Sequence, residues 1–342
     1  MIADPQLVVK ARQGRTHEVR PCIGCNQGCI GGVFSGRMAC AVNPVVGQEA
    51  TLSEDLIVKS ATPRRVVVVG GGVAGMEAAR VALLAGHRVT LFEAAPELGG
   101  MVNVAKRMPR LHAIGDIAVW LEQEIYRLGV DVRLSTYVEA DDVLAEAPDV
   151  VVVATGSQPD EAIGFRQVAS PAATVPVTPG ARVLNSLELA TDTGRDFGKT
   201  AVVFDDVGHY EAIGCCEALI QRGVEVTYVT RHLMFAPALE VTGRTQAALQ
   251  RMHTAGRLRI VTQSELVSID KGSVTVKPIF GPNAEAVPAD TVVWVGYRQS
   301  QNAIWLALRG KVEQLHLVGD ALSMRDIQPA IREGHLAARS IR

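Results

Sequence analysis

Arg64-Arg65-Val66-Val67-Val68-Val69-Gly70-Gly71-Gly72-Val73-Ala74-Gly75-Met76, read on through His87 to Glu93, decides the fold. Val66 to Val69 form a short strand buried on both faces, because consecutive β-branched residues leave no polar side. Gly70, Gly72 and Gly75 follow in a G-x-G-x-x-G spacing, and Met76 to Ala85 read as a helix. His87 to Phe92 make a second strand, closed by Glu93. The first glycine of such a turn permits a tight bend and the second lets a pyrophosphate approach the backbone. The third lets the helix pack on the strand, with the helix N-terminus facing the phosphates. Glu93 lies 18 residues past Gly75, where an acidic side chain can bind ribose hydroxyls. Gly70, Gly72, Ala74, Gly75 and Glu93 are therefore the expected floor of an adenine dinucleotide site. The plainer alternative is a Gly-rich turn in an ordinary α/β domain.

Working outward, 342 residues with 48% apolar content suffice for two or three cored domains;. A net charge of −2 favours neither nucleic acid nor an anionic membrane surface;. The start, MIADPQLVVKARQGR, has no apolar signal region, and no apolar run reaches spanning length;. The expectation is a cytoplasmic protein without membrane or nucleic-acid partners. Residues 1–21 hold one short helix, Gln6 to Gln13, and look like the tail of a larger element.

Four of the six cysteines fall between residues 22 and 40. Cys22, Cys25, Cys29 and Cys40 are spaced C-x2-C-x3-C-x10-C, with glycines between. Three thiolates within eight residues can wrap a compact inorganic core and a fourth can arrive from a following loop, so an iron–sulfur cluster is expected. A four-cysteine zinc site is the rival, although zinc ribbons usually bring two C-x2-C knuckles. Buried or disulfide-bonded cysteines without metal are the third possibility. Residues 48–63 read as a linker.

Past Glu93, Glu97-Leu98-Gly99-Gly100 gives another close-approach turn, and 113–128 an amphipathic helix;. Strands follow at Val130 to Leu134 and Asp149 to Ala154. The latter ends in Ala154-Thr155-Gly156-Ser157, a small-residue turn where an α/β sheet meets its ligand;. Proline-bearing residues 158–197 are expected to connect with little regular structure. A second strand–turn–helix then runs Thr200 to Phe204, Ala212 to Arg222 and Val224 to Val229. Its turn reads Asp205-Asp206-Val207-Gly208-His209-Tyr210, placing two carboxylates where a pyrophosphate would bind and repelling it;. Pyridine-nucleotide binding there is not expected. His209, Tyr210, Cys215 and Cys216 read as packing residues. Residues 240–255 read as a helix, 258–280 as strands, and Thr291 to Val295 as a buried strand. Leu315-His316-Leu317-Val318-Gly319-Asp320 is a returning strand whose acid can accept a bond from a ribityl hydroxyl or cap a helix;. Residues 328–340 close the chain.

The fold class is thus α/β: two tandem Rossmann-like three-layer nucleotide-binding domains in a glutathione-reductase-like arrangement, preceded by a cysteine-rich cluster loop. Residues 1–60 form the tail and loop, 61–197 with 297–342 the FAD or ADP domain, and 198–296 an inserted NAD(P)-type domain with a degenerate phosphate loop.

Arg20-Pro21-Cys22-Ile23-Gly24-Cys25-Asn26-Gln27-Gly28-Cys29, Cys40-Ala41-Val42-Asn43-Pro44, Val69-Gly70-Gly71-Gly72 and Val318-Gly319-Asp320 together resemble the trimethylamine dehydrogenase and 2,4-dienoyl-CoA reductase family. The resemblance covers essentially the whole chain. It implies Cys22, Cys25, Cys29 and Cys40 as ligands of a 4Fe–4S cluster. It implies Gly70, Gly72, Gly75, Glu93, Gly100, Met101, Gly319 and Asp320 around FAD, or ADP in its place, with Thr155 and Gly156 at the same edge. Members of that family carry an FMN barrel ahead of these parts. Here Ile2-Ala3-Asp4-Pro5 through Arg20 is similar to the segment after that barrel, so FMN is expected only through an upstream domain or a partner subunit. The Asp205-Asp206 turn is similar to the dehydrogenase branch, which oxidises amine or N-methyl substrates and passes electrons to an electron-transferring flavoprotein. The implied protein is an FAD-dependent iron–sulfur oxidoreductase, expected to be oligomeric. The alternatives are an NAD(P)H-dependent dienoyl-CoA or enoate reductase module, a non-catalytic partner subunit, and a zinc-bearing flavoprotein. No substrate-side acid or base is assignable.

Overall fold

A computed structural model describes residues 1–34, 36–159, 165–192 and 194–342. The chain forms two units. One holds Met1–Lys106, Ala113–Gln158 and Gln299–Arg342; the other holds Arg107–His112 and Pro159–Arg298.

The first unit is built on a five-stranded sheet in the order Gln314–Leu317, Val150–Val153, Arg65–Val69, Arg88–Phe92, Asp131–Arg133. Every neighbouring pair is parallel. A sheet covered on both faces needs apolar residues at consecutive positions, and the valine runs supply them. Val66, Val68, Val150 and Val152 pack under the helices Val73–Leu84, Asp116–Leu128 and Ile327–Arg339. Val67, Val69, Val151 and Val153 face Val143, Leu144, Ile304 and Leu308 of the short helices Ala140–Ala145 and Ala303–Leu308. Val69 lies level with Phe92 and Val153, and Val153 with Leu317. Four strand ends therefore reach one edge, the carboxyl edge where such sheets present ligands.

The second unit repeats the parallel plan in the order Leu258–Val261, Glu225–Thr230, Thr200–Asp205, Thr291–Val295, Val183–Asn185. The helices Tyr210–Gln221 and Arg244–Ala255 pack on Ala201, Val203, Tyr228 and Val293. The other face takes an antiparallel meander, Ser264–Asp270, Gly272–Pro278 and Glu285–Ala289. Its Leu266, Ile269, Val274 and Val287 meet Val202, Phe204, Val292 and Trp294.

Three expectations change. Segment 158–197 supplies an edge strand, Val183–Asn185, and a helix, Ser186–Thr191, started by a capping box between Asn185 and Glu188;. Its residues 160–164 and 193 lie outside the described residues. Segment 48–63 carries the helical turns Glu49–Leu52 and Glu54–Leu56, with Leu52 buried. The helix expected over 240–255 is a 3-10 turn, Pro237–Thr242, and a helix, Arg244–Ala255, parted at Gly243. Among the described residues, no helix is long and apolar enough to cross a membrane.

Candidate functional site

Gly70 turns the chain at φ +106° and donates its N–H to the Phe92 carbonyl at 2.8 Å. A Cβ on Gly75 would run into the Gly70 carbonyl, which is the close helix-on-strand packing expected of a third glycine;. Around Gly72 the opposite holds: nothing lies within 4 Å of where its Cβ would be. Gly72 is the N-cap of Val73–Leu84, and no side chain caps it. The first amides of a twelve-residue helix are thus presented to a ligand rather than to a capping side chain.

Glu93 ties the second strand to this turn. Its Oε2 accepts the Gly71 N–H and its Oε1 the Ala95 N–H, both at 2.7 Å. Each oxygen keeps a further acceptor position for a hydroxyl. Gly99 donates to the Gly71 carbonyl at 2.9 Å, and a Cβ on Gly100 would stand 3.2 Å from Gly72 Cα. Gly100 is also the N-cap of Met101–Ala105, so Met101 opens its helix beside the turn. Thr155 Oγ donates to the Gln301 carbonyl, and Gln301 N–H to Gly156 at 2.9 Å.

Asp320 sits in the 3-10 turn Gly319–Ala321. It accepts Ser157 Oγ–H and Arg325 N–H, both at 3.1 Å. It does not cap the closing helix Ile327–Arg339; Asp326 does, through Gln328 N–H. Gly319 donates to Glu333 Oε2 at 2.8 Å, and a Cβ there would lie 2.9 Å from Ala74 Cβ. All the candidate residues of the nucleotide site therefore gather at one sheet edge. Ser157 belongs to the small-residue turn expected at this edge, whereas Glu333 and Gly334 are not indicated by the sequence reading. Gly334 lies inside a helix, where glycine costs about 1 kcal/mol against alanine. That cost was the available signal, since a Cβ there would strike the Ala74 carbonyl.

None of the four clustered cysteines is in a disulfide; Cys22 is exposed and Cys25, Cys29 and Cys40 are half-buried. Backbone pairing brings their two stretches together: Ala39 N–H donates to Gly28 at 2.8 Å and Arg37 N–H to Gly32 at 2.9 Å. A Cβ on Gly28 would stand 2.7 Å from the Ala39 carbonyl carbon, so only glycine permits the approach;. Ile23, Ala41 and Val42 anchor the loop in the first unit's core, with Cys25 and Cys40 against it. Burial pushes the Cys25 thiol up to about 11, and the nearby Cys40, Cys29 and Cys22 push the same way against a bond from Gln27 N–H. Burial raises Cys40 as well. Thiols crowded and buried in this way resist ionising until a cationic centre shares the site. That donor set fits a soft, thiolate-held cluster. Among the described residues, no group of three or more His, Cys, Asp or Glu is arranged to hold a metal ion; the fit rests on the chemistry of four cysteines from two apposed stretches.

In the second unit, the turn between Thr200–Asp205 and Tyr210–Gln221 is filled from within. Asp205 is fully buried. Its Oδ1 accepts the amides of Val207 and Gly208 at 2.9 and 2.8 Å, and its Oδ2 accepts Tyr228 O–H at 2.6 Å. Asp206 accepts Arg231 Nε–H at 2.6 Å and Val168 N–H at 2.7 Å. The expectation that both carboxylates project at a pyrophosphate is corrected: they turn inward, and the turn's amides are already taken. A Cβ on Gly208 would lie 3.0 Å from the Pro237 ring, and Ala238 N–H donates to the Gly208 carbonyl. Burial pushes Asp205 up to about 6, against the bonds from Gly208, Tyr228 and Val207 that pull it down. His209 and Tyr210 meet edge-on at 5.1 Å, and Cys215 and Cys216 are fully buried.

Fold and site define an α/β protein with two nucleotide-type units. Residues 41–191 match the family described as Pyridine nucleotide-disulphide oxidoreductase. The homologues and structural neighbours are the C-terminal part of the amine dehydrogenase and enoate reductase family. An NADH oxidase of Thermoanaerobacter brockii is 47% identical over 161 residues, 46% of this chain and 24% of that protein. A bilirubin reductase of Mediterraneibacter gnavus is 33% identical over 99% of this chain and 50% of its own. The structure of histamine dehydrogenase from Rhizobium sp. 4-9 superposes with a TM-score of 0.92 at 28% identity, over 99% of this chain and 54% of that one. The chain thus spans about half the length of the latter two.

Proposed function

We propose that this chain is the electron-transfer portion of an iron–sulfur flavoprotein oxidoreductase. In this reading the first unit binds FAD, or ADP in its place, and Cys22, Cys25, Cys29 and Cys40 hold a 4Fe–4S cluster. When bound, the flavin supplies one- and two-electron chemistry and the cluster one-electron chemistry. The amides at Val73 meet the diphosphate, Glu93 receives ribose hydroxyls, and Asp320 receives a ribityl hydroxyl. An FMN-bearing barrel, upstream or on a partner, would oxidise an amine or N-methyl substrate. The histamine dehydrogenase likeness supports that substrate class. Ile30, Val33, Phe34 and Met38 form an exposed apolar face beside the cysteines, suited to such a neighbour;.

One observation carries the direction of electron flow: Asp205 occupies the Val207 and Gly208 amides. With those amides taken and His209, not glycine, at the N-cap of the following helix, a pyrophosphate lacks the backbone approach that Gly72 gives in the first unit; in this reading electrons leave towards a protein acceptor, an electron-transferring flavoprotein. The NADH oxidase likeness favours a second reading. There NADH would donate and the chain would serve a reductase of dienoyl-CoA or enoate type.

The test is anaerobic purification with assays for iron, sulfide, FAD and ADP, followed by titration with NADH and NADPH. Expected are iron, sulfide and a bound adenine compound, with no bleaching of the flavin by either nucleotide. Rapid bleaching moves the assignment to the second reading. A colourless protein without adenine removes both.

A further inference from the structure

Behind the open glycine turn, the first unit buries a set of charges that the reading above does not use. Glu77 and Arg80, on Val73–Leu84, are 0% and 2% exposed; His335, on Ile327–Arg339, is 0% exposed. His335 Nδ1 lies 2.9 Å from Glu77 Oε1. Arg80 donates to both Glu77 oxygens, at 2.9 and 3.0 Å, and to Glu54 Oε1 at 2.6 Å. Arg20 donates to the same Glu54 oxygen at 2.9 Å. Trp120 lies against both guanidiniums, its ring centre 4.5 Å from Arg20 and 5.4 Å from Arg80. Two guanidiniums face two carboxylates. Moving any member leaves a buried charge unpaired, so the chain holds a single arrangement.

Its ends reach two places that matter. At one end, Gly334, next to His335, packs against the Ala74 carbonyl in the first turn of the ligand-facing helix. At the other, Arg20 stands two residues before Cys22. It donates to the Val42 carbonyl at 3.0 Å and to Asn43 Oδ1 at 3.4 Å, just past Cys40. One guanidinium therefore ties together both ends of the cysteine segment. Glu54 is the joint, with a single oxygen bridging Arg20 and Arg80.

We infer that this ion chain couples occupancy of the adenine site to retention of the cluster by the cysteine segment, with Glu54 as the positioning link. The inference rests on the function proposed above. Ligand at Gly70–Gly75 fixes the helix carrying Glu77 and Arg80; through Glu54 that helix fixes Arg20 and the ends of the cysteine loop. By linkage, the cluster then tightens ADP binding by the factor with which ADP slows cluster loss.

The test uses the full chain, purified anaerobically, and follows iron loss to a chelator with and without saturating ADP. ADP should slow iron loss about fivefold or more in the wild type and less than about twofold in Glu54→Gln. Glu54 itself is 43% exposed, and the glutamine keeps an acceptor oxygen for both guanidiniums while removing the charge. Asp55→Asn, on the same turn with its carboxylate bonded to Ser53, should keep the wild-type ratio. Should Glu54→Gln fail to load iron, Arg20→Lys takes its place, with the same loss of protection expected. Equal protection in variant and wild type overturns the inference. So does a wild type that binds iron and ADP without any protection, and the proposed function then stands. A wild type that binds neither iron nor ADP removes that function and the inference with it.

Discussion

In the first unit the turn after Arg65–Val69 is left open at Gly72, whereas in the second the turn after Thr200–Asp205 is filled by Asp205. Both turns follow the middle strand of a five-stranded parallel sheet, and both lead into a twelve-residue helix. Each has an acid in attendance. Glu93 comes from the neighbouring strand and takes the Gly71 amide from the side. Asp205 comes from the turn's own strand and folds back beneath it. The position of the acid, not its presence, separates the two turns: neither helix has a side-chain cap, but the N-cap is the open Gly72 in the first unit and His209, behind a turn tied down by Asp205, in the second. Acids elsewhere sharpen the contrast. Guanidinium groups outweigh burial and hold Glu77 well below, and Glu54 down to about 2, in the first unit; burial wins at Asp205 in the second.

The largest expected effect tests that contrast. Arg80→Ala strands Glu77, at 0% exposure, and should cost about 3–5 kcal/mol of stability in denaturant unfolding. A loss under about 1 kcal/mol would mean that Glu77 is served by His335 alone. Next comes a pair of glycine substitutions that separates folding from binding. Gly75→Ala drives a methyl into the Gly70 carbonyl and should cost about 1–3 kcal/mol. Gly72→Ala meets nothing within 4 Å, so stability should change by less than about 0.5 kcal/mol. Its methyl stands where a diphosphate must approach, so ADP affinity measured by calorimetry should fall about tenfold, roughly 1.4 kcal/mol. Unchanged affinity would remove Gly72 from the ligand contact surface.

The open turn was legible because it is written in local terms: a valine run, three spaced glycines and an acid at the next strand's end. The cysteine spacing was equally plain. The filled turn was only half legible. Asp205 and Asp206 announced a departure, but a sequence does not say which way a strand-end side chain points. Tyr228 and Arg231, the partners that turn both acids inward, come from the next strand and its end. The chain from Arg20 to His335 was not legible at all. Its members are charged residues at positions a helical pattern assigns to solvent, and only tertiary packing joins them. Segment 158–197 misled for a related reason: prolines marked it as connection, yet an edge strand tolerates prolines before it.

The remaining test probes the filled turn directly. Removing the acceptor, as in Asp205→Ala, orphans the Val207 and Gly208 amides and should cost about 1–3 kcal/mol, whereas Asp205→Asn keeps an acceptor oxygen and should cost less. The Asn variant also removes a titration. Folding raises the Asp205 carboxyl to about 6, from about 3.9 in an unfolded chain. A group raised in this way adds stability that is complete below its unfolded value and is lost as pH climbs through its folded one. Glu77 and Glu54 run the other way: their contribution is present above the unfolded value of about 4.3 and is lost as pH falls. Between pH 5 and 7.5 the contribution of Glu77 and Glu54 is therefore nearly flat, and the comparison of wild type with Asp205→Asn isolates Asp205. Over that interval the wild type should lose about 1–2 kcal/mol relative to Asp205→Asn in urea unfolding. A constant difference would show a carboxylate of ordinary strength, ionised throughout. The expected slope means that the second turn is held by a full negative charge at neutral pH, at a cost in stability, and that this charge, buried beneath the turn, keeps the Val207 and Gly208 amides from any ligand.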